Sequence, residues 1–331
     1  MIYKRCLHYK NIINFAKNIS MKKIILVVFV LTFFNGCDDG DFVVKNFNFN
    51  NAPVEKCNNL LYIKRGSELM ILNIPATNFT ETPTNGTPRI YTLANANELI
   101  YRNYTGTVTS DVICNTIPPS NPTVVEEYNA ISGGKVEVNT VVTATVSDNS
   151  NATTITYSHQ IKLKEIQFSN ENNTLNYNEF IFGNYQSRSS LLSFNFDTSL
   201  GNACNSNKIY KNTATQAMIL SFNSFNFPMN VGTTTVNLDA DNSIVYRLYA
   251  GGSLSPNEIC SNTTPTLPLY ILEEWTANEG TVTIITEEIV NGSNVVTGYK
   301  HTITMQNVVY KKDNLSFTHT TYVFGEYIYN L

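Results

Sequence analysis

TITYSHQIKL, residues 154–163, decides the fold. Apolar and polar residues alternate without a break. Ile155, Tyr157, His159, Ile161 and Leu163 therefore share one face of an extended strand, and Thr154, Thr156, Ser158, Gln160 and Lys162 share the other. The segment YKHTITM, residues 299–305, repeats the pattern with Tyr299, His301, Ile303 and Met305. In both places the apolar phase then slips by one residue, to Ile166 and Phe168 and to Val308 and Tyr310. One extra residue in a strand produces such a slip, so a β-bulge is predicted at the same place twice.

Working outward from these strands, the whole chain matches itself. Phe47-Asn48-Phe49-Asn50 lies ahead of Cys57 as Phe194-Asn195-Phe196-Asp197 lies ahead of Cys204. Leu69–Leu72 answers to Ala217–Leu220, Tyr101–Gly106 to Tyr246–Gly251, and Cys114 to Cys260. Glu126-Glu127-Tyr128 answers to Glu273-Glu274-Trp275, and Phe182–Tyr185 to Phe324–Tyr327. The order never breaks and the offset stays between 142 and 148 residues, which is the signature of tandem duplication. A unit of about 140 residues is a usual domain size, so each copy is expected to own a core. The boundary is placed between Arg188 and Leu191, giving repeats over 46–188 and 191–331.

Each copy is rich in Thr, Val, Ile, Tyr and Phe, and turn residues cut it into short runs. Gly133-Gly134 and Glu279-Gly280 mark one hairpin per copy, and Asp148–Asn151 and Asn291-Gly292 another. No window of a dozen residues carries a helical period. The expectation is an all-β protein of two tandem homologous antiparallel β-sandwich domains, jelly-roll-like or Ig-like.

The amino end reads differently. Met21-Lys22-Lys23 is a short basic stretch, and Ile24 to Phe34 is apolar except for Thr32. Eleven residues fall short of the roughly 20 needed to cross a bilayer but suit the apolar core of a secretory signal. Phe34-Asn35-Gly36-Cys37 follows, and it resembles the lipobox of bacterial lipoproteins. Gly36 fits that pattern, whereas Phe34 and Asn35 stand where the family has Leu and a small residue. The resemblance implies a cleaved signal peptide over 1–36, with Met21 as its start, a lipidated Cys37 and a tether over 37–45. Asp38-Asp39-Gly40-Asp41 resembles an inner-membrane retention signal of enterobacterial lipoproteins. It also resembles the surface-export signal of Bacteroidetes lipoproteins. The Asn-rich, Tyr- and Phe-rich body resembles a flavobacterial protein and favours an outer-membrane lipoprotein facing the cell surface, with a periplasm-facing one as the alternative.

Four cysteines follow Cys37. Cys57 and Cys114 stand 57 residues apart, and Cys204 and Cys260 stand 56 apart, at matching places of the two copies. Beyond the cytoplasmic membrane disulfides persist. Four cysteines allow three pairings, and the duplication favours one bridge within each copy. Closing such a loop contributes roughly 4 kcal/mol in the chain-entropy description.

The first 36 residues hold six basic residues and no acidic one, which leaves sixteen basic against 26 acidic residues, a net charge of about −10. Nothing in that balance draws the chain to nucleic acid or anionic lipid. The membrane partner is then reached through the lipid on Cys37, with a glycan or an envelope protein as the further partner.

Candidate chemistry is sparse. His159 and His301 sit in the core-facing row and read as satisfied buried histidines. Glu126-Glu127 and Glu273-Glu274 are paired carboxylates, the residue type of glycoside hydrolysis. Neighbours in a strand point to opposite faces, however, so one of each pair points inward and needs a partner. The repeated cations are Arg102 and Arg247, which predicts structural ion pairs Glu126–Arg102 and Glu273–Arg247. Asn237–Asn242 alternates oxygen ligands as calcium loops do, but lacks the turn glycine and distal Glu, and reads as a polar turn. No catalytic residue, cofactor or metal ligand is assigned. Residues shared by both copies are scaffold first, so a ligand site is sought where the copies differ: Thr80–Pro88, Ile117–Pro122 and Thr263–Pro268. The functional expectation is a lipid-anchored binding, adhesion or scaffold module, not an enzyme. A glycan-binding accessory lipoprotein of a nutrient-uptake system is the first alternative and a glycoside hydrolase the second.

Overall fold

The computed structural model describes residues 47–147, 150–196, 200–223, 226–261 and 263–331. The signal segment 1–36, Cys37, the tether 37–45 and Asp38–Asp41 lie outside the described residues. The first repeat contains β1 (Glu55–Cys57), β2 (Leu60–Arg65), β3 (Glu68–Leu72), β4 (Arg89–Thr92) and β5 (Leu99–Tyr104). A single helical turn, α1 (Asp111–Cys114), follows, then β6 (Val124–Ala130), β7 (Lys135–Val146), β8 (Thr153–Ser169) and β9 (Thr174–Leu192). The second repeat has β10 (Asn202–Asn205), β11 (Lys208–Asn212), β12 (Gln216–Phe222), β13 (Gly232–Asn237) and β14 (Asn242–Ala250). Then come α2 (Pro256–Cys260), β15 (Tyr270–Ala277), β16 (Thr281–Val290), β17 (Val296–Lys312) and β18 (Leu315–Asn330).

The two copies are identical in topology. Each is a nine-stranded antiparallel sheet, ordered β1-β2-β3-β5-β6-β8-β7-β4 with β9 also on β8, and β10-β11-β12-β14-β15-β17-β16-β13 with β18 also on β17. The bulges expected at the phase slips are not there: β8 and β9 keep one register from Lys162–Ile181 to Ser169–Thr174, and β17 and β18 from Thr304–Val323 to Lys312–Leu315. The extra residues are Phe182 and Phe324 on the partner strands, where the register shifts between Ile161 and Lys162 and between Ile303 and Thr304. The slips are bends that hinge each sheet. Glu165 (φ 55°) and Asn307 (φ 52°) take left-handed backbone at the two phase slips. Before the slip, Ile155, Tyr157, His159, Ile161 and Leu163 are buried; after it, Ile166 and Phe168 are. Strand β6 meets β8 only at Asn129–Ser169 and Ala130–Phe168. Strand β7 takes the same edge from Lys135–Lys164 onward. The sheet thereby folds into two leaves that close a sandwich. The hairpin beside the second bend requires glycine: Gly280 has φ 120°, and a Cβ there would lie 2.8 Å from the Asn307 carbonyl oxygen.

The leaf β10-β11-β12-β14-β15 is buried on both faces. Ile209, Met218, Leu220, Ile244, Tyr246 and Trp275 face the opposing leaf. Tyr210, Ala217, Ile219 and Tyr249 face a smaller core beneath α2 with Ile259 and Leu269. That is why β3 and β12 read as unbroken apolar runs (LMIL, AMIL) and not as alternating ones. The disulfides Cys57–Cys114 and Cys204–Cys260, with Cα separations of 5.5 and 5.4 Å, pin each helical turn over this second face.

Two expectations need correction. Strand β9 runs unbroken through Arg188–Leu191 to Leu192, which pairs with Thr153, so the chosen boundary lies inside a strand. Each repeat buries a core of its own, the first with Ile63, Tyr101, Val136, Ile161, Leu163 and Phe168, but the second repeat's core is shared. Val142, Ile155, Tyr157 and Leu192 of the first repeat pack in the same cluster as Trp275, Tyr310 and Phe317 of the second. The far end of the β8–β9 ribbon outruns its own sandwich and covers its neighbour's.

Candidate functional site

The inward carboxylate is Glu273, 1% exposed. Its partner is not Arg247. Facing positions on β14 and β15 set Arg247 opposite Glu274, and their side chains meet at 2.6 Å; Arg102 and Glu127 do the same in the first repeat. The pairing expected for Glu126 and Glu273 fails because alternation puts the arginines on the face of the second glutamate of each pair. Glu126 contributes instead to raising the Tyr128 pKa, after burial.

Glu273 receives donors from both repeats. Its Oε1 accepts from Tyr157 OH at 2.7 Å and lies 2.8 Å from an Arg188 nitrogen. Its Oε2 accepts from Lys312 Nζ at 2.8 Å and Trp275 Nε1 at 3.3 Å. Arg188 forks onto Glu81 at 2.8 and 2.7 Å and stacks over the Tyr157 ring at 4.3 Å. Two carboxylates thus face two cations, with a phenol between them. Burial, and then Glu273, push the Tyr157 pKa up. For Lys312 burial works downward, but the bonds and charge attraction to Glu273 and Tyr157 together outweigh it and the net shift is upward. A buried carboxylate that accepts three hydrogen bonds and faces the Arg188 cation is engaged as a latch between repeats. Of the latch, only Glu273 is marked in the sequence as a group needing a charged partner. Arg188, Lys312, Tyr157 and Glu81 come from four separate segments, and no spacing rule joins them.

The histidines are structural. Thr140, His159 and Tyr185 face one another across three strands, and so do Thr286, His301 and Tyr327. His159 Nδ1 lies 2.9 Å from Thr140 Oγ1, and His301 Nδ1 lies 3.1 Å from Thr286 Oγ1. Burial, then the charge of Arg89, lowers the His159 pKa to about 4. His319 has no counterpart in the first repeat. It is buried at the junction against Thr153 at 3.2 Å and Phe194 at 4.3 Å, and burial lowers its pKa to about 4. The Asn237–Asn242 segment is a turn in which Asp239 Oδ1 accepts from the backbone of Asp241 and Asn242 at 2.9 and 2.8 Å. Among the described residues no group of three or more His, Cys, Asp or Glu is placed to hold a metal ion.

A groove of about 870 Å³ lies on the first repeat. Its floor is the solvent face of β7, β8 and β9. One cross-strand row is Asn139–Gln160–Asn184 and the next is Glu137–Lys162–Ile181. Gly86 and Pro88 line it from the variable Thr80–Pro88 loop, and Asn50–Pro53 from the segment leading into β1. That loop is stitched to β7 by Thr84 N to Thr140 O at 3.1 Å. The Thr84 hydroxyl donates to Asn139 Oδ1, and Asn139 Nδ2 donates to Gln160 Oε1 at 3.1 Å. The charges of the floor are engaged: Lys164–Glu137 and Lys162–Glu179 each at 3.1 Å. Ile181 is 70% exposed. At the matching positions the second repeat carries Thr283, Ile285, Thr302, Thr304, Val323 and Glu326. The loop was marked in the sequence as a place where the copies differ. The amide row was missed, although setting Asn139, Gln160 and Asn184 beside Ile285, Thr302 and Glu326 would have shown it.

No protein-family model, no curated protein and no solved structure matches the chain.

Proposed function

We propose that the chain is a lipid-anchored protein of the bacterial cell envelope, tethered to the outer membrane through Cys37 and facing the cell surface. It works as a binding module and not as an enzyme. The observation that carries this reading is the contrast between duplicated surfaces. Two repeats with one topology keep the same buried Thr–His–Tyr rows and the same disulfides. Yet where the second offers Ile285, Thr302 and Glu326, the first builds an amide-floored groove. Scaffold explains what both copies share; a ligand explains what one copy alone has built. The carboxylates a hydrolase would need are spoken for, Glu273 by the latch and Glu127 and Glu274 by arginines. The apolar run 24–34 and the Gly36-Cys37 junction support the anchor.

Cells producing the protein, fed a clickable palmitate, should label it, and Cys37→Ser should abolish the label. Protease added to intact cells should release peptides of 47–331. An unlabelled wild-type protein, or one protected until the envelope is opened, would overturn the anchor or its orientation respectively.

A further inference from the structure

We infer that the groove on the first repeat binds a short neutral glycan, an inference that rests on the reading of this repeat as the ligand-binding one. Three features of the floor select that chemistry. The first is a one-way relay of hydrogen bonds. Thr84 donates to Asn139, and Asn139 donates to Gln160 Oε1, which leaves the Gln160 Nε2 donors beside the Asn184 amide at the centre of the groove. A row of side-chain amides offers donors and acceptors side by side, the pattern that vicinal hydroxyl groups match. The second is charge. The floor carries Glu137 and Lys162, and each is engaged by an ion partner within the sheet, so neither an anionic nor a cationic ligand gains from a free counter-charge. The third is the exposed Ile181 side chain next to Lys162, an apolar platform for the C–H face of a sugar ring. The volume, about 870 Å³, lies in the range of small-molecule sites, about 300–1,000 Å³, and suits an oligosaccharide segment.

An extended peptide is the competing occupant. Peptides of that kind pair with an open backbone edge, whereas the floor of this groove is a sheet face that presents side chains from β7, β8 and β9. The hexaalanine arm of the test below separates the two occupants.

The test uses the full-length lipidated protein in detergent, titrated calorimetrically with maltohexaose, cellohexaose, xylohexaose and mannohexaose. Hexagalacturonate serves as the anionic probe and hexaalanine as the peptide probe. At least one neutral hexamer should bind, and Gln160→Ala should weaken it about tenfold, the loss of one well-made hydrogen bond. Asn139→Ala should act in the same direction by releasing Gln160. Thr302→Ala, the matching change on the second repeat, should leave affinity within about twofold and controls for folding. Binding of none of the neutral hexamers, or binding indifferent to Gln160→Ala, would overturn the inference. Binding of hexagalacturonate or hexaalanine alone, sensitive to Gln160→Ala, would overturn the neutral-glycan assignment while leaving the groove as the ligand site. Anchoring at Cys37 is read separately by acyl labelling, so its failure cannot be mistaken for either result.

Discussion

Replacing Glu273 with Leu removes the acceptor at the centre of the inter-repeat latch. The cost can be built from its partners. Tyr157 OH loses its 2.7 Å acceptor in a buried setting, worth about 1–3 kcal/mol. Arg188 keeps its two-pronged contact with Glu81, so its charge stays compensated. Lys312 is about a third exposed and can turn to water. The full penalty for breaking a buried pair, about 3–5 kcal/mol, is therefore softened, and about 3 kcal/mol is expected. In a folded body of this size that lowers Tm by about 5 °C. Lys312→Met alone leaves Glu273 with Arg188, Tyr157 and Trp275 and should cost about 1–2 kcal/mol. The double variant should be less damaged than the two singles together by about 1–2 kcal/mol, because each single strands a partner that the double removes. Urea and thermal denaturation of the four proteins would close the cycle. Additive singles, with Glu273→Leu within 1 °C of wild type, would refute the latch.

Acid should loosen the fold. His159 and His319 are held to about 4 in the folded state against about 6.5 unfolded, so the unfolded chain binds more protons between those values. Their contribution is complete above about pH 6.5 and fades as pH falls toward 4, by up to about 3 kcal/mol per histidine. Tm measured against pH should fall across that window, and His319→Gln should flatten the slope. Gly280→Ala should cost about 2 kcal/mol or more, from positive φ and the Asn307 carbonyl. Gly292→Ala, with open space around it, should be close to neutral by the same denaturation assay. Lys211, 4% exposed, has burial as the cause of its lowered pKa and the Phe324 ring 5.0 Å from Nζ. It stands where the first repeat has buried Ile63, so Lys211→Ile should raise Tm, by about 1 kcal/mol or more of added stability.

The strands, the duplication, the two phase slips and both disulfides were legible because each leaves a local or periodic mark; that the slips are bends and not bulges depends on the partner strand's register. The slip from Leu163 to Ile166 is written in the order of the residues themselves. The shared core was not legible. Val142, Ile155 and Tyr157 alternate as any inward row does, and alternation says which face is buried but not by what. The arginine pairing is hidden for a related reason: the need for a partner points Arg102 and Arg247 to the inward glutamate, whereas one step of cross-strand register sets them opposite Glu127 and Glu274. The latch itself joins Glu81, Tyr157, Arg188, Glu273 and Lys312, and only folding brings them together.

The overhang of the β8–β9 ribbon has a consequence for synthesis. A nascent chain that has emerged only as far as Leu192 holds a complete set of first-repeat strands, yet Val142, Ile155, Tyr157 and Leu192 face water until residues 209–317 arrive to cover them. The amino-terminal half made alone should therefore be sticky and prone to self-association. The carboxy-terminal half made alone should lack part of its lid, so the two halves are expected to be soluble only when produced as one polypeptide or together.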